Sequence, residues 1–250
     1  MTGLNSIVGD KFDILCIAES KLDPSFPNSQ FKRKGYKPKP YRLDVASRTG
    51  GLLVYVRDGI SSKYLRDFSL PKDIQFIPVE LRLKSHKWLI IFIYRHKDQK
   101  LESFLEHMSN PLNFYSNFER CILMGDFNCE PSNPHLAKFQ KDNSLYCHTK
   151  GKTCFKKTEG TCIDLILSNQ KYGLQKTGSW DTGINDFHHL IYTQLKSRYT
   201  KLSPKKVNYK CYNNFIEEMS NLSSNVNEIE PFENKFVTVL DRHAPRKTRQ

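Results

Sequence analysis

Alternating apolar and polar stretches divide the first 195 residues into short strand-like segments. The central segment is Arg120–Asn128 (RCILMGDFN), whose continuous apolar run Cys121–Met124 predicts a strand buried on both faces. An extended backbone beyond this run would turn Asp126 and Asn128 to one side and Phe127 into the core. A carboxylate beside a carboxamide at the end of a buried strand can hold a water molecule for attack on a phosphate ester. A plain Asp/Asn turn is the simpler alternative.

Further apolar stretches predict the rest of a strand-rich fold. Gln75–Leu83 and Trp88–Tyr94 are separated by only four residues, which favours an antiparallel hairpin. Apolar residues at helical spacing predict an amphipathic helix over about 98–109 that ends before Pro111, and a shorter helix after Pro134. The other predicted strands are Phe12–Ala18, Leu52–Arg57, Thr153–Phe155, Cys162–Ser168 and a last strand that ends near Leu195.

Polar residues follow or interrupt several of these strands, where open sheets place their chemistry. Glu19 follows the first strand and Tyr94 ends another, although Glu19 taken alone is better explained as a surface residue that begins the loop Ser20–Pro27. Asp164 lies inside an apolar run, and a buried ionised Asp is costly unless it is paired. We therefore expect it to have a partner, with backbone hydrogen bonds as the structural alternative. The adjacent His188 and His189 are candidates for that partner.

The charge of the chain indicates a polyanionic partner. The formal net charge is +13 and the pI is about 9.4, which favours nucleic acid and, as the weaker alternative, an anionic membrane surface. Residues 31–42 carry six basic residues interleaved with three aromatics, a composition suited to phosphates and unstacked bases. A solvated loop is an equally good interpretation of that segment. Residues 196–210 carry six more basic residues and no acid, which is typical of a flexible basic strap.

The cysteine content and the absence of leader patterns predict an intracellular protein, nuclear or cytoplasmic and not secreted. The seven cysteines form no disulfide framework, and no apolar run approaches the roughly 20 residues of a membrane span. Cys147, His148, Cys154 and Cys162 match no common zinc spacing. Several cysteines within apolar runs are interpreted as core residues.

Taken in order, six segments resemble the endonuclease/exonuclease/phosphatase superfamily, and within it the endonuclease domain of non-LTR (LINE-like) retrotransposon polyproteins. The resemblance extends over residues 12–195 and implies an α/β (α+β) fold, a two-sheet β-sandwich flanked by helices over residues 1–197. Residues 198–250 are predicted to form a basic connector with two short amphipathic helices. The six segments are Asp13–Lys21, Gly50–Asp58, Met124–Asn128, Thr153–Phe155, Cys162–Asn169 and Asn185–His189.

The resemblance implies a divalent metal site and a water site. Glu19 and Asp186 would hold the ion, Mg²⁺ by preference with Mn²⁺ as the alternative, because hard cations prefer carboxylate oxygens. Asp126 would activate or position the attacking water, and Asn128 would orient it.

It also implies a set of residues around the phosphate. Asp164 would orient the catalytic His188, which explains why that carboxylate tolerates burial. Tyr94 and Thr153 match positions that touch the phosphate, and Asn185 is placed with the substrate-binding residues.

The chain departs from the family pattern in three places. Asn185-Asp186-Phe187 stands where the family has Ser-Asp-His, so the histidine falls one place later; either a bulge restores the aim of His188 or its role is lost. The loop after Tyr94 lacks the family's proline. The family domain begins with a strand bearing a catalytic Asn and then a helix, and we expect both to be missing here.

From the sequence we therefore expect a Mg²⁺-dependent endonuclease that nicks DNA and derives from a retroelement. The reverse transcriptase domain of the parent polyprotein would be its partner and is absent from this chain. No membrane is expected to be involved. The alternatives are a catalytically inactive nucleic-acid-binding remnant, and a phosphoesterase of the same fold acting on small or lipid phosphates.

Overall fold

The computed structural model describes residues 11–45, 50–83, 86–156, 158–183 and 187–195. The described elements are eleven strands, two α-helices and a 3₁₀-helix at Asn28–Phe31. The helices are α1 (Leu101–Phe114) and α2 (Pro134–Asp142). The strands are β1 (Ile14–Ala18), β2 (Tyr41–Leu43), β3 (Leu52–Val56), β4 (Ser61–Tyr64), β5 (Gln75–Leu83), β6 (His86–Tyr94), β7 (Arg120–Asp126), β8 (Tyr146–Cys147), β9 (Asp164–Ser168), β10 (Leu174–Trp180) and β11 (Leu190–Leu195).

The larger sheet has six strands in the order β4-β5-β6-β7-β9-β8. All of its neighbours are antiparallel except β6 and β7, which run parallel and are joined by the crossover through α1. The register pairs Trp88 with Arg120 at one end of these two strands and Tyr94 with Asp126 at the other. The carboxyl ends of β6 and β7 therefore meet at one edge of the sheet.

The second β-layer consists of a three-stranded sheet, β1-β3-β2, and a two-stranded sheet, β10-β11. Among the described residues, β1 pairs only with β3 and β11 pairs only with β10. Both layers contribute to one apolar core, in which Leu52 and Val54 of β3 face Ile77, Ile90 and other residues of the larger sheet. A second core lies on the opposite face of the larger sheet, where both helices pack.

The helices cover that second core through a few large side chains. Phe104 and Met108 of α1 and Leu136 of α2 are completely buried. Burial of a side chain of this size stabilises the fold by roughly 1.5–3 kcal/mol. Asn133 caps α2 by accepting a hydrogen bond from the His135 N–H at 3.0 Å. The predicted architecture, two β-layers flanked by helices, is confirmed.

Several predicted details differ from the structure. The first helix does not stop before Pro111 but continues to Phe114, because Pro111 is buried against the core and its carbonyl accepts the Tyr115 N–H. Thr153–Phe155 is not a strand. Within this segment only Cys154 forms β-bridges, which are isolated pairings with Thr161 and His188. The pattern also missed β2, β4, β8 and β10, which are short or mostly polar.

The basic loop at residues 31–42 uses part of its charge internally. The Arg33 guanidinium lies over the Tyr36 ring at 4.9 Å, and Arg42 forms an ion pair with Asp44 at 2.8 Å. The Lys37 ammonium donates to the Ser62 hydroxyl at 2.6 Å. Three lysines of the loop are exposed, namely Lys32, Lys34 and Lys39.

No helix within the described ranges is long and apolar enough to cross a membrane. The predicted connector at 198–250 and the predicted loss of a first strand and helix concern residues outside those ranges. They stay predictions.

Candidate active site

Three strand ends bring the central polar residues together. The register pairs Tyr94 of β6 with Asp126 of β7, and Asp126 with Asp164 of β9. Gly125 permits this close pairing, because a Cβ there would lie 2.0 Å from the Ile93 carbonyl oxygen. Its φ of 145° also lies in the region that favours glycine. The absence of a side chain at Gly125 thus allows the strands that carry the site to approach each other.

The turn after β7 orients the Asp126 carboxylate. Asn128 adopts a left-handed conformation with φ of 46°, so the extended backbone that the alternation suggested is wrong at this residue. Its backbone N–H donates to Asp126 Oδ1 at 2.7 Å, and its side-chain amide donates to Asp126 Oδ2 at 3.2 Å. Phe127 is completely buried, as predicted. Asn128 therefore contacts the carboxylate directly.

Asp164 has a histidine partner. The Nδ1 atom of His188 lies 3.0 Å from Asp164 Oδ2, and Asp164 is 9% exposed. Two further contacts hold Asp164 in place, since the hydroxyl of Thr153 accepts the backbone N–H groups of Asp164 and Ile163 at 3.0 and 3.1 Å. His189 takes a different place: its ring stacks on Phe155 with centroids 4.3 Å apart.

The segment Thr153–Phe155 clamps the His–Asp pair. The Thr153 carbonyl accepts the His189 N–H at 2.8 Å, and the Phe155 N–H donates to the Phe187 carbonyl at 2.7 Å. The Cys154 sulfur lies 3.5 Å from Nε2 of His188. The sequence analysis missed this contact, because nothing in a strand-like pattern identifies a cysteine that will face a histidine 34 residues away.

Glu19 reaches the site from the second β-layer. Tyr94 donates its phenolic hydrogen bond to Glu19 Oε1 at 2.7 Å, across 75 residues of sequence. The backbone of Glu19 is left-handed, with φ of 51°, and the next two N–H groups donate to the carbonyls of Gly51 and Gly50. A non-glycine residue in this region stores strain, which is typical of functional sites.

The ionisable side chains at these strand ends line one groove of about 610 Å³. Its walls include Glu19, Tyr94, Asp126, Asp164 and His188. The hydroxyl of Thr153 faces the start of β9, and the residue is completely buried. Asn185 and Asp186 lie outside the described residues.

Burial and the close approach of the acidic groups shift the pKa values of three groups in the groove. Burial, followed by repulsion from Asp164, raises the pKa of Asp126 from 3.8 to about 7. The hydrogen bond to Asp164 raises the pKa of His188 above its usual 6.5. Burial and the hydrogen bond to Glu19 raise the pKa of the Tyr94 hydroxyl well above 10, so that Tyr94 stays a donor.

The groove has the donor set that a divalent cation needs. Ligating atoms of Asp126, Asp164 and His188 lie within 4.8 Å of one another. Burial, with repulsion from Asp164 as the second cause, raises the pKa of Asp126 to about 7, and a nearby positive charge would favour its ionised form, so the carboxylates of this groove fit a metal ion. Glu19 lines the same groove but is not part of that three-residue cluster.

A sequence profile of the endonuclease/exonuclease/phosphatase family matches residues 4–193. The chain belongs to this family. Its members are hydrolases that act as nucleases or phosphatases, and they generally depend on a divalent metal ion. No curated protein sequence gives a significant match to the chain.

Solved structures of this family share the fold of the chain. The endonuclease domain of TRAS1, a telomere-specific non-LTR retrotransposon, superposes with a TM-score of 0.62 and 13% identity, covering 78% of this chain and 91% of the other. A 3′-5′ exonuclease (NExo) from Neisseria meningitidis gives 0.60 and 15%, covering 78% and 93%. The 3′ phosphatase NExo from Neisseria, bound to product DNA hairpin, gives 0.60 and 17% over the same shares. At these identities the comparison shows the fold alone.

Proposed function

We propose that the chain is a Mg²⁺-dependent DNA endonuclease that nicks a phosphodiester bond and derives from a non-LTR retrotransposon. The observation that carries this proposal is the convergence of Asp126, the Asp164–His188 pair and the Glu19–Tyr94 pair in one groove of a chain with net charge +13. Similarity in fold to the TRAS1 endonuclease domain supports the retroelement origin.

The two sides of the groove take different parts of the hydrolysis. Asp126, with its pKa near 7, accepts a proton from the attacking water at neutral pH, while Asn128 fixes the direction of the carboxylate. On the other side, Asp164 holds Nδ1 of His188 and thereby directs Nε2 toward the phosphate. As the water oxygen bonds to phosphorus, the P–O bond to the leaving oxygen breaks, and His188 donates its Nε2 proton to that oxygen. The weak contact of Nε2 with the Cys154 sulfur is replaced when a charged oxygen arrives.

Tyr94 and Glu19 complete the site next to the water. The Tyr94 hydroxyl is a hydrogen-bond donor at the carboxyl end of β6. We assign Glu19 to the metal, because its carboxylate lines the groove together with Asp126 and hard cations prefer carboxylate oxygens. A bound divalent ion supplies positive charge that offsets the negative charge of the phosphate during attack.

The test is nicking of supercoiled plasmid DNA by the full chain in Mg²⁺ and in EDTA. We expect nicking in Mg²⁺ only, and its loss in Asp126→Asn and Glu19→Gln with DNA binding nearly unchanged. Asp142→Asn, an exposed carboxylate of α2, is the matched control and should retain full activity. Full nicking by either site variant would overturn the assignment.

A phosphatase is the second candidate, because a 3′ phosphatase is as similar in fold as the nucleases. An oligonucleotide with a 3′-phosphate distinguishes the two activities. Release of phosphate without plasmid nicking would favour the phosphatase, whereas DNA binding without either product would indicate an inactive remnant.

A further inference from the structure

We propose that Arg95 is a positioning residue of the active site: its guanidinium holds the turn after β7 in the conformation in which Asn128 faces the Asp126 carboxylate. The proposal rests on the proposed nuclease function and adds a residue to it. Arg95 follows Tyr94 at the end of β6, in the sequence Arg95-His96-Lys97, which is typical of an exposed basic loop. The structure instead leaves Arg95 only 5% exposed.

Among the described residues, the hydrogen bonds of the buried guanidinium all go to main-chain carbonyl oxygens. Its Nε donates to the Phe127 carbonyl at 2.6 Å and its Nη2 to the Asn128 carbonyl at 2.7 Å. Its Nη1 donates to the carbonyls of His96, at 3.3 Å, and Gln99. One planar fork thus joins the two loops that follow the parallel strands β6 and β7, a geometry that a lysine ammonium cannot reproduce.

The connection between Arg95 and Asn128 is reciprocal. The guanidinium donates to the Asn128 carbonyl, and the Asn128 side-chain amide donates back to the Arg95 carbonyl at 2.8 Å. The same amide donates to Asp126 Oδ2 at 3.2 Å. Arg95 therefore determines both the left-handed backbone of Asn128 and the direction of the amide that orients the Asp126 carboxylate.

If Arg95 only stabilised the fold, its N–H groups could donate to main-chain carbonyls anywhere in the protein. Here two of the four acceptors belong to Phe127 and Asn128, the residues directly after Asp126, and the Arg95 backbone N–H donates to the Asp126 carbonyl at 2.9 Å. A small displacement of this turn moves the carboxylate relative to the His–Asp pair, and errors of about 1 Å in such a geometry cost on the order of 10²-fold in rate.

The experiment measures plasmid nicking in Mg²⁺, DNA affinity and melting temperature for Arg95→Lys and Arg95→Ala. We expect kcat to fall by about 10–100-fold in both variants while the Kd for plasmid stays within about twofold of the wild-type value. Methylguanidinium added to Arg95→Ala should raise its kcat at least about tenfold, whereas methylammonium should leave that kcat unchanged. The matched control is Arg82→Ala, which removes an exposed arginine of β5 and should leave kcat unchanged.

Two results would overturn the proposal: a kcat for Arg95→Lys within about threefold of the wild type, or equal rescue of Arg95→Ala by the two cations. If Arg95→Ala does not fold, Arg95→Lys is compared with the wild type by NMR at the Asn128 side-chain amide. Positioning requires that signal to shift, and an unchanged signal contradicts it. Absence of nicking by the wild type would refute the nuclease function instead, while the Asn128 signal would still test Arg95.

Discussion

The substitution Asp126→Asn should stabilise the metal-free protein at alkaline pH, although it abolishes the proposed activity. Asp126 is 7% exposed, and burial together with Asp164 raises its pKa from 3.8 to about 7. At about 1.4 kcal/mol per pH unit, ionisation of this carboxyl costs the folded state roughly 4 kcal/mol. The asparagine avoids that cost but places an amide against the Asn128 side-chain donor, which costs about 1–2 kcal/mol. A net gain of about 2–3 kcal/mol remains.

The sign of the pH dependence follows from linkage. A pKa that is higher in the folded state means that the folded protein binds the proton more tightly than the unfolded chain. The stability contributed by Asp126 is therefore complete below about pH 4 and disappears as the pH rises through about 7. The asparagine does not titrate, so the variant should gain on the wild type between pH 5 and pH 8.

The assay is thermal unfolding of both proteins at pH 5, 6, 7 and 8 in EDTA, since a divalent ion would stabilise the ionised carboxylate. At pH 5 we expect the two melting temperatures to agree or the variant to be slightly lower. At pH 8 we expect the variant to melt about 5–10 °C higher, at about 2–4 °C per kcal/mol for a domain of this size. Asp67→Asn, a carboxylate that is 64% exposed, is the control and should show no such trend. A difference that does not depend on pH, or a wild type that gains stability toward pH 8, would refute the electrostatic reasoning.

Three further predictions follow from the site and the charge. His188→Ala should lower the nicking rate by about 10²-fold or more, because it removes the partner of the buried carboxylate, whereas His189→Ala should change it only a few-fold; the reverse order in the same plasmid assay would reassign the catalytic histidine. Gly125→Ala should destabilise the fold by at least about 2–3 kcal/mol in urea unfolding, since its Cβ would meet a backbone carbonyl at 2.0 Å, and Gly151→Ala, whose Cβ meets nothing within 4 Å, should cost about 1 kcal/mol; equal destabilisation would contradict the packing argument. Deletion of residues 196–250 should weaken DNA binding and reduce the slope of log K against log salt by about 0.9 for each phosphate that this segment neutralises in the full chain, and an unchanged slope would show that the segment does not touch DNA.

The parts of the fold and site that depend on local patterns were predictable from sequence. The run Cys121–Met124 lies in a strand that is buried up to Leu123 and half-buried at Met124, and Phe127 turns into the core. The need of Asp164 for a partner anticipated its pairing with His188. In each case the cost of burying a polar group, or of exposing an apolar one, limits the possible arrangements. The residue order along one strand is enough to predict which of its side chains are buried and which of them need a partner.

Contacts across the two β-layers were not predictable in the same way. Periodicity shows which face of a strand is buried but not which strands pair, so the Glu19–Tyr94 hydrogen bond across 75 residues depends on tertiary packing. The left-handed Asn128 and the buried Arg95 were missed because a polar residue after a strand is normally assigned to solvent. The continuation of α1 through Pro111 shows packing overriding local preference.

The single parallel pair in the larger sheet divides the molecule into a reactive end and an inert end. The carboxyl ends of β6 and β7 carry Tyr94 and Asp126, whereas the amino ends, paired at Trp88 and Arg120, are a full strand length away. The turn at residues 116–119, between α1 and β7, belongs to that inert end. A fluorophore, surface tether or inserted affinity tag placed in this turn would report on the protein during an assay of the proposed activity, without obstructing the groove.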